Sequence, residues 1–151
     1  MRFASFALFS LALALPAAAQ AETTHFPIVR PGAPTTAGPP FSAAVQVGDT
    51  LYISGSTDTD PATGKPPTDP RAGAKLLMDG LVRTLTRAGM TTDDLVWVQI
   101  FASDLANYAV FNEVYRTYFK GPLPARAFIG AGSLLGGANF EIMGIAAKEK
   151  K

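Results

Sequence analysis

The chain has 151 residues, with 13 basic and 12 acidic side chains, 48% hydrophobic residues and no cysteine. That length suits one domain with a real core, and the even charge speaks against a nucleic-acid surface, which carries a basic excess on one face. Without Cys there is no disulfide framework, thiolate nucleophile or Cys-bound metal, and the single histidine, His25, cannot build a histidine metal cluster.

The N-terminus reads as a secretory signal peptide over residues 1–21. Met1-Arg2 supplies the positive end, Phe3 to Leu15 is apolar apart from two Ser, Pro16 breaks the run, and Ala19-Gln20-Ala21 has the small-x-small form of a cleavage site. The apolar run is shorter than the roughly 20 residues a membrane-spanning helix needs. Cleavage near Ala21 and a secreted or periplasmic mature protein, free of the membrane, are therefore expected. An uncleaved anchor is the alternative. Removal takes away Arg2 and no acid, so the remaining basic and acidic residues balance.

Residues 22–37 form an extended segment rich in Pro and Thr. Within and just after the segment's start, Phe26 to Val29 suits an edge strand, and His25 reads as an exposed tail residue. Ala43 to Val47 and Thr50 to Ser54 are two strand patterns joined at Gly48-Asp49, a hairpin. Asp60-Pro61-Ala62-Thr63-Gly64 is a turn. Asp69 then caps a helix with Pro70 at its first position. Ala74, Leu77, Met78, Leu81, Val82, Leu85 and Ala88 form its apolar stripe, and Gly89 suits the residue after its end. Leu95 to Ala102 is a strand. A second helix is expected from about Asn107 to Phe119, where Tyr108, Phe111, Val114, Tyr115 and Tyr118 can share a face.

The stretch from Pro124 to Glu141 carries the chemistry. Arg126 opens an apolar strand, roughly 126–132. After a Gly-rich return, Glu141 opens another, roughly 139–147. A cation and a carboxylate on what are expected to be adjacent strands are either a structural salt bridge or a small site. In a site, the guanidinium would hold an anion and the carboxylate would handle water or a proton. Residues 148–151 are a charged tail. The element order ββ-α-β-α-ββ predicts an α+β fold, one sheet with both helices on one face. The other face keeps Ile, Val, Phe and Trp side chains, for which self-association is the simplest cover.

Taken together, Pro40-Phe41-Ser42, Tyr52-Ile53-Ser54-Gly55, Asp60 to Gly64, Ala88-Gly89 with Asp93-Asp94-Leu95-Val96, Phe111 to Tyr115, Pro124-Ala125-Arg126 and Glu141-Ile142 form a recognisable order. Over residues 38–147 the chain resembles the RidA/YjgF family of enamine/imine deaminases. The resemblance implies a chorismate-mutase-like fold, a homotrimer with sheets facing inward, and ligand clefts between subunits. It also implies hydrolysis of 2-aminoacrylate and similar 2-imino acids to 2-keto acids and ammonia, with no metal or organic cofactor; the charge balance, separately, leads to the expectation of no nucleic-acid partner.

By the same resemblance Arg126 would grip the substrate carboxylate and Glu141 would position water, the two catalytic candidates. Phe41, Ser54, Gly55, Asn112 and Phe128 would complete the binding cleft, with backbone near Phe128 meeting the ligand. The chain departs from the deaminase branch at Phe41 (usually Tyr), Ala43 and Ser56 (usually Gln), Phe128 (usually small) and Leu135-Gly136 (usually Pro-Lys). These changes alter the cleft wall. Two readings stand beside deamination: a non-catalytic trimer binding small carboxylates or another protein, and a hydrolase or lyase on another substrate. Glu141 could equally pack a trimer or pair with Arg126, and Asn112 could brace the helix.

Overall fold

The computed structural model describes residues 21–29 and 38–148. All of the expected signal peptide but Ala21, residues 30–37 of the extended segment and 149–151 of the tail lie outside the described residues.

Six strands form one mixed sheet: β1 (Thr23–Phe26), β2 (Ala44–Val47), β3 (Thr50–Thr57), β4 (Leu95–Ala102), β5 (Ala125–Gly130) and β6 (Phe140–Ala147). Their spatial order is β1-β2-β3-β6-β4-β5, antiparallel except for the parallel β4–β5 pair. The helices are α1 (Pro70–Arg87) and α2 (Tyr108–Arg116), both on one face, as the alternation of apolar residues predicts.

Helix α1 begins where its sequence says. The Asp69 carboxylate accepts the Arg71 N–H at 3.0 Å, and Pro70 takes the first helical position, where no N–H is needed. It ends at Ala88, with Gly89 at φ 65°, a conformation costly for a side chain with Cβ. Ala74, Leu77, Met78, Leu81 and Leu85 are buried against the sheet's Leu51, Ile53, Val98, Ile100 and Ile142. Each buried leucine-sized side chain contributes about 1.5–3 kcal/mol.

Three expectations are corrected. The first strand is Thr23–Phe26, not Phe26–Val29: Pro27 has no N–H for the ladder, so pairing with β2 stops at Phe26↔Ala44. His25 is exposed but lies within that strand, with its Nδ1 3.3 Å from the Ser42 hydroxyl. Helix α2 stops at Arg116, because Thr117, Tyr118 and Phe119 turn their N–H groups to carbonyls three residues back and tighten the last turn. Finally, β5 and β6 are not adjacent. β4 lies between them and pairs with both.

One buried charge organises the corner where β3, α1 and β6 meet. Asp58 is fully buried, and its carboxylate accepts the Asn139 N–H at 3.0 Å, the Asn139 Nδ2 at 2.9 Å and the Phe140 N–H at 3.3 Å. Asn139 Nδ2 also donates to the Pro67 carbonyl at 2.8 Å. Three donors offset the desolvation a buried carboxylate would otherwise suffer. The result fixes the start of β6, one residue before Glu141.

Candidate functional site

The sequence candidates fall into two groups. The first surrounds Arg126. In the parallel β4–β5 register, Arg126 stands beside Val98, which is fully buried on the helix side of the sheet. Its side chain therefore rises toward α2. There Asn112, Tyr108 and Tyr115 occupy one helical face, at steps of four and three residues. An Arg126 Nη2 donates to Asn112 Oδ1 at 2.7 Å. The guanidinium carbon lies 4.7 Å from the Tyr115 ring centroid, 5.8 Å from that of Tyr108 and 5.7 Å from that of Phe128. Aromatic faces attract the cation and hold it in place while leaving donors for a ligand.

Phe128 is itself fixed, edge-on to Tyr108 at 5.0 Å and to Phe111 at 5.4 Å. Among the described residues Arg126 meets no carboxylate. Glu113, beside Asn112 in sequence, pairs with Arg71 instead. The structural salt bridge between Arg126 and Glu141 does not form within one chain.

Beside this cation lies a cavity of about 160 Å³, lined by Tyr108, Asn112, Tyr115 and Arg116 of α2 and by Pro124 and Arg126. The Tyr115 side chain is buried, and its hydroxyl has no hydrogen-bond partner among the described residues. Burial pushes that hydroxyl up to about 12, partly offset by the Arg126 charge, so it remains an O–H donor at neutral pH.

The second group surrounds Glu141. In the β4–β6 register Glu141 stands opposite Phe101, three residues along β4 from Val98 and thus on the opposite face. Its carboxylate lies over Gly55, where the β3–β6 register shifts between Ile53 and Ser56. A Cβ at position 55 would collide with Glu141 Oε1 and stand 3.2 Å from its Cδ, so only glycine leaves that carboxylate its place. The Ser54 hydroxyl donates to the Ser42 carbonyl at 2.8 Å, bracing the turn that carries Phe41, which is 53% exposed. Next to this group a cavity of about 260 Å³ opens on the sheet face, lined by Tyr52, Ser54, Trp97, Met143 and Ile145 among others.

The structure thus brings Arg126, Asn112 and Phe128 together, and separately Glu141 and Gly55. It does not bring the two groups together in one chain. The aromatic setting of Arg126 is not legible in the sequence, which places Tyr108 and Tyr115 on a shared helical face but not beside Arg126. Their spacing with Asn112 was the available signal. Among the described residues no cluster of three His, Cys, Asp or Glu could hold a metal ion.

Comparison with known proteins agrees with this architecture. The mouse 2-iminobutanoate/2-iminopropanoate deaminase is 37% identical over 124 residues, covering 79% of this chain and 92% of that protein. The Myxococcus xanthus protein DfrA is 39% identical over 117 residues, covering 76% and 88%. Among solved structures, RidA from an Antarctic Psychrobacter species superposes with a TM-score of 0.70 at 30% identity, over 87% of this chain and all of that one (100%). TdcF from E. coli, solved with bound serine, superposes with a TM-score of 0.71 at 26% identity, over 87% and 100%. The family model described as Endoribonuclease L-PSP matches residues 32–148. With that match spanning β2 to β6 and both helices, the chain belongs to the RidA/YjgF (endoribonuclease L-PSP) family.

Proposed function

We propose that the protein hydrolyses small 2-imino acids to 2-keto acids and ammonia, in a site that two copies of the chain complete. The observation that carries this reading is Arg126: a strand-borne guanidinium, held by Asn112 and three aromatic rings, facing a cavity with no acid of its own. A planar fork of donors suits a carboxylate in two parallel hydrogen bonds. Relatives named 2-iminobutanoate/2-iminopropanoate deaminase supply the reaction class.

In this chemistry Arg126 fixes the substrate carboxylate and so places the adjacent imine carbon. Glu141 orients a water and takes its proton as the oxygen adds to that carbon. The proton passes to nitrogen to give a carbinolamine, the proton of its new hydroxyl then follows to nitrogen, the C–N bond breaks, and ammonia leaves as the keto group forms. Because Arg126 and Glu141 lie on opposite sheet faces, each site takes its cation from one copy and its carboxylate from another. The apolar open face, with Tyr52, Trp97, Met143 and Ile145, provides the surface on which copies meet, in a homotrimer. Export to the periplasm or beyond goes with this reading, supported by the residue pattern of 1–21.

The test is direct. An amino-acid oxidase generates 2-iminopropionate from alanine, and its disappearance is followed with and without the protein. Acceleration by wild type and its loss in Arg126→Ala are expected. No acceleration by wild type, with pyruvate still bound, would leave the non-catalytic carboxylate binder. Phe41, which brings no hydroxyl, favours that second reading.

A further inference from the structure

The cavity beside Arg126 has more binding capacity than one carboxylate uses. Two guanidinium-bearing residues line it, Arg126 and Arg116, and among the described residues no carboxylate does. Neither arginine forms an ion pair among the described residues. Tyr115 lines the same space with its ring, while its hydroxyl is buried and has no hydrogen-bond partner among the described residues. The lining is therefore positively charged and rich in donors, and its amide oxygen, Asn112 Oδ1, is already taken by Arg126.

We propose that this cavity takes a doubly anionic acid, one carboxylate on Arg126 and the second on Arg116. The inference rests on the 2-imino acid reading and narrows it: the preferred substrates are 2-imino dicarboxylates. Size is consistent with this. A cavity of about 150 Å³ takes a benzene ring, so about 160 Å³ takes the acid end and short chain of such a molecule. Its remaining atoms extend through the open side toward the neighbouring copy. Arg116 stands on the last turn of α2, where its long side chain can close on the second carboxylate.

Binding of the corresponding keto acids to the full chain tests the proposal by calorimetry, with 2-oxoglutarate against pyruvate. A preference for 2-oxoglutarate on the order of tenfold is expected from one added charge-assisted contact. Arg116→Ala should abolish most of that preference, and the ratio of the two affinities is what is read. Equal affinity in wild type, or an Arg116→Ala change that weakens both acids alike, would overturn the proposal. Imine turnover separates the two levels. Turnover without a dicarboxylate preference removes this inference and keeps the deaminase. A preference lost in Arg116→Ala, without turnover, keeps the two-arginine dicarboxylate site and removes the deaminase reading together with its substrate claim.

Discussion

Arg126 and Glu141 project from opposite faces of one sheet, with β4 between their strands. Their registers fix this, since Arg126 stands level with Val98 and Glu141 with Phe101, and side chains three residues apart on a strand point oppositely. A fold of this size could have paired them. Instead each is prepared separately, Arg126 by Asn112 and aromatic rings, Glu141 by the vacancy at Gly55.

Gly55→Ala tests the second preparation. The backbone at 55 does not need positive φ, so the fold should tolerate alanine, with stability within about 1 kcal/mol of wild type. The new methyl would take the space of the Glu141 carboxylate and turn it away. Catalytic rate should fall by up to about a hundredfold, the scale of a misplaced reacting group, while the thermal midpoint barely moves. Unchanged rate would mean that Glu141 need not occupy that position.

Asn112→Ala tests the first. It removes the 2.7 Å bond to Arg126 and leaves the guanidinium held by rings alone. Hydrogen bonds to charged groups contribute about 1.5–3 kcal/mol, so KM should rise about tenfold or more. If KM stays put and only unfolding shifts, Asn112 braces the helix and nothing else.

Alkaline stability should report the buried tyrosines. Burial raises the Tyr115 hydroxyl to about 12. Tyr118 is raised too, by burial and by its bond to Asp79, to which it donates at 2.7 Å. Groups raised by folding stabilise fully below their unfolded value, near 10, and the contribution disappears as pH climbs through the folded value. Urea midpoints measured from pH 8 to 11 should hold steady to about pH 10 and then decline. Tyr115→Phe should decline less steeply. An identical decline in that variant would show that Tyr115 contributes nothing to it.

The open sheet face gives an optical test of assembly. Trp97 is the only tryptophan in the chain, and it lines the cavity with Tyr52, Met143 and Ile145. If copies cover this face, an Ile145→Asp substitution should redden the tryptophan emission and reduce the particle to one chain by light scattering. A charge there has no partner and cannot be buried cheaply. Emission and mass that remain unchanged would place the contact elsewhere.

Much of the fold was legible from residues that act locally. Asp69, Pro70 and Gly89 bound α1, and its three- and four-residue stripe gives the buried face. The β2–β3 hairpin follows from alternating residues around Gly48-Asp49. Sheet order was not legible, because period-two patterns assign a face and not a neighbour. The parallel β4–β5 pairing therefore overturned the adjacency expected for Arg126 and Glu141. Asp58 was missed for a related reason. In a Thr-Asp-Thr-Asp run it looks like loop, and its donor Asn139 lies 81 residues further along the chain. The site was half legible. Arg126, Asn112, Phe128, Glu141 and Gly55 carry features worth naming, but Tyr115 and Arg116 gain theirs only from the cavity they share.

Mixing two inactive variants tests the shared site most directly. Arg126→Ala and Glu141→Gln, each without activity alone, are unfolded together, refolded as a mixture and assayed for 2-iminopropionate hydrolysis. If each site joins Arg126 of one copy to Glu141 of the next, random assembly restores both groups at about a quarter of the sites, and a comparable share of wild-type activity returns. A mixture that stays as inactive as its components, despite forming mixed oligomers, would contradict a site built across the seam.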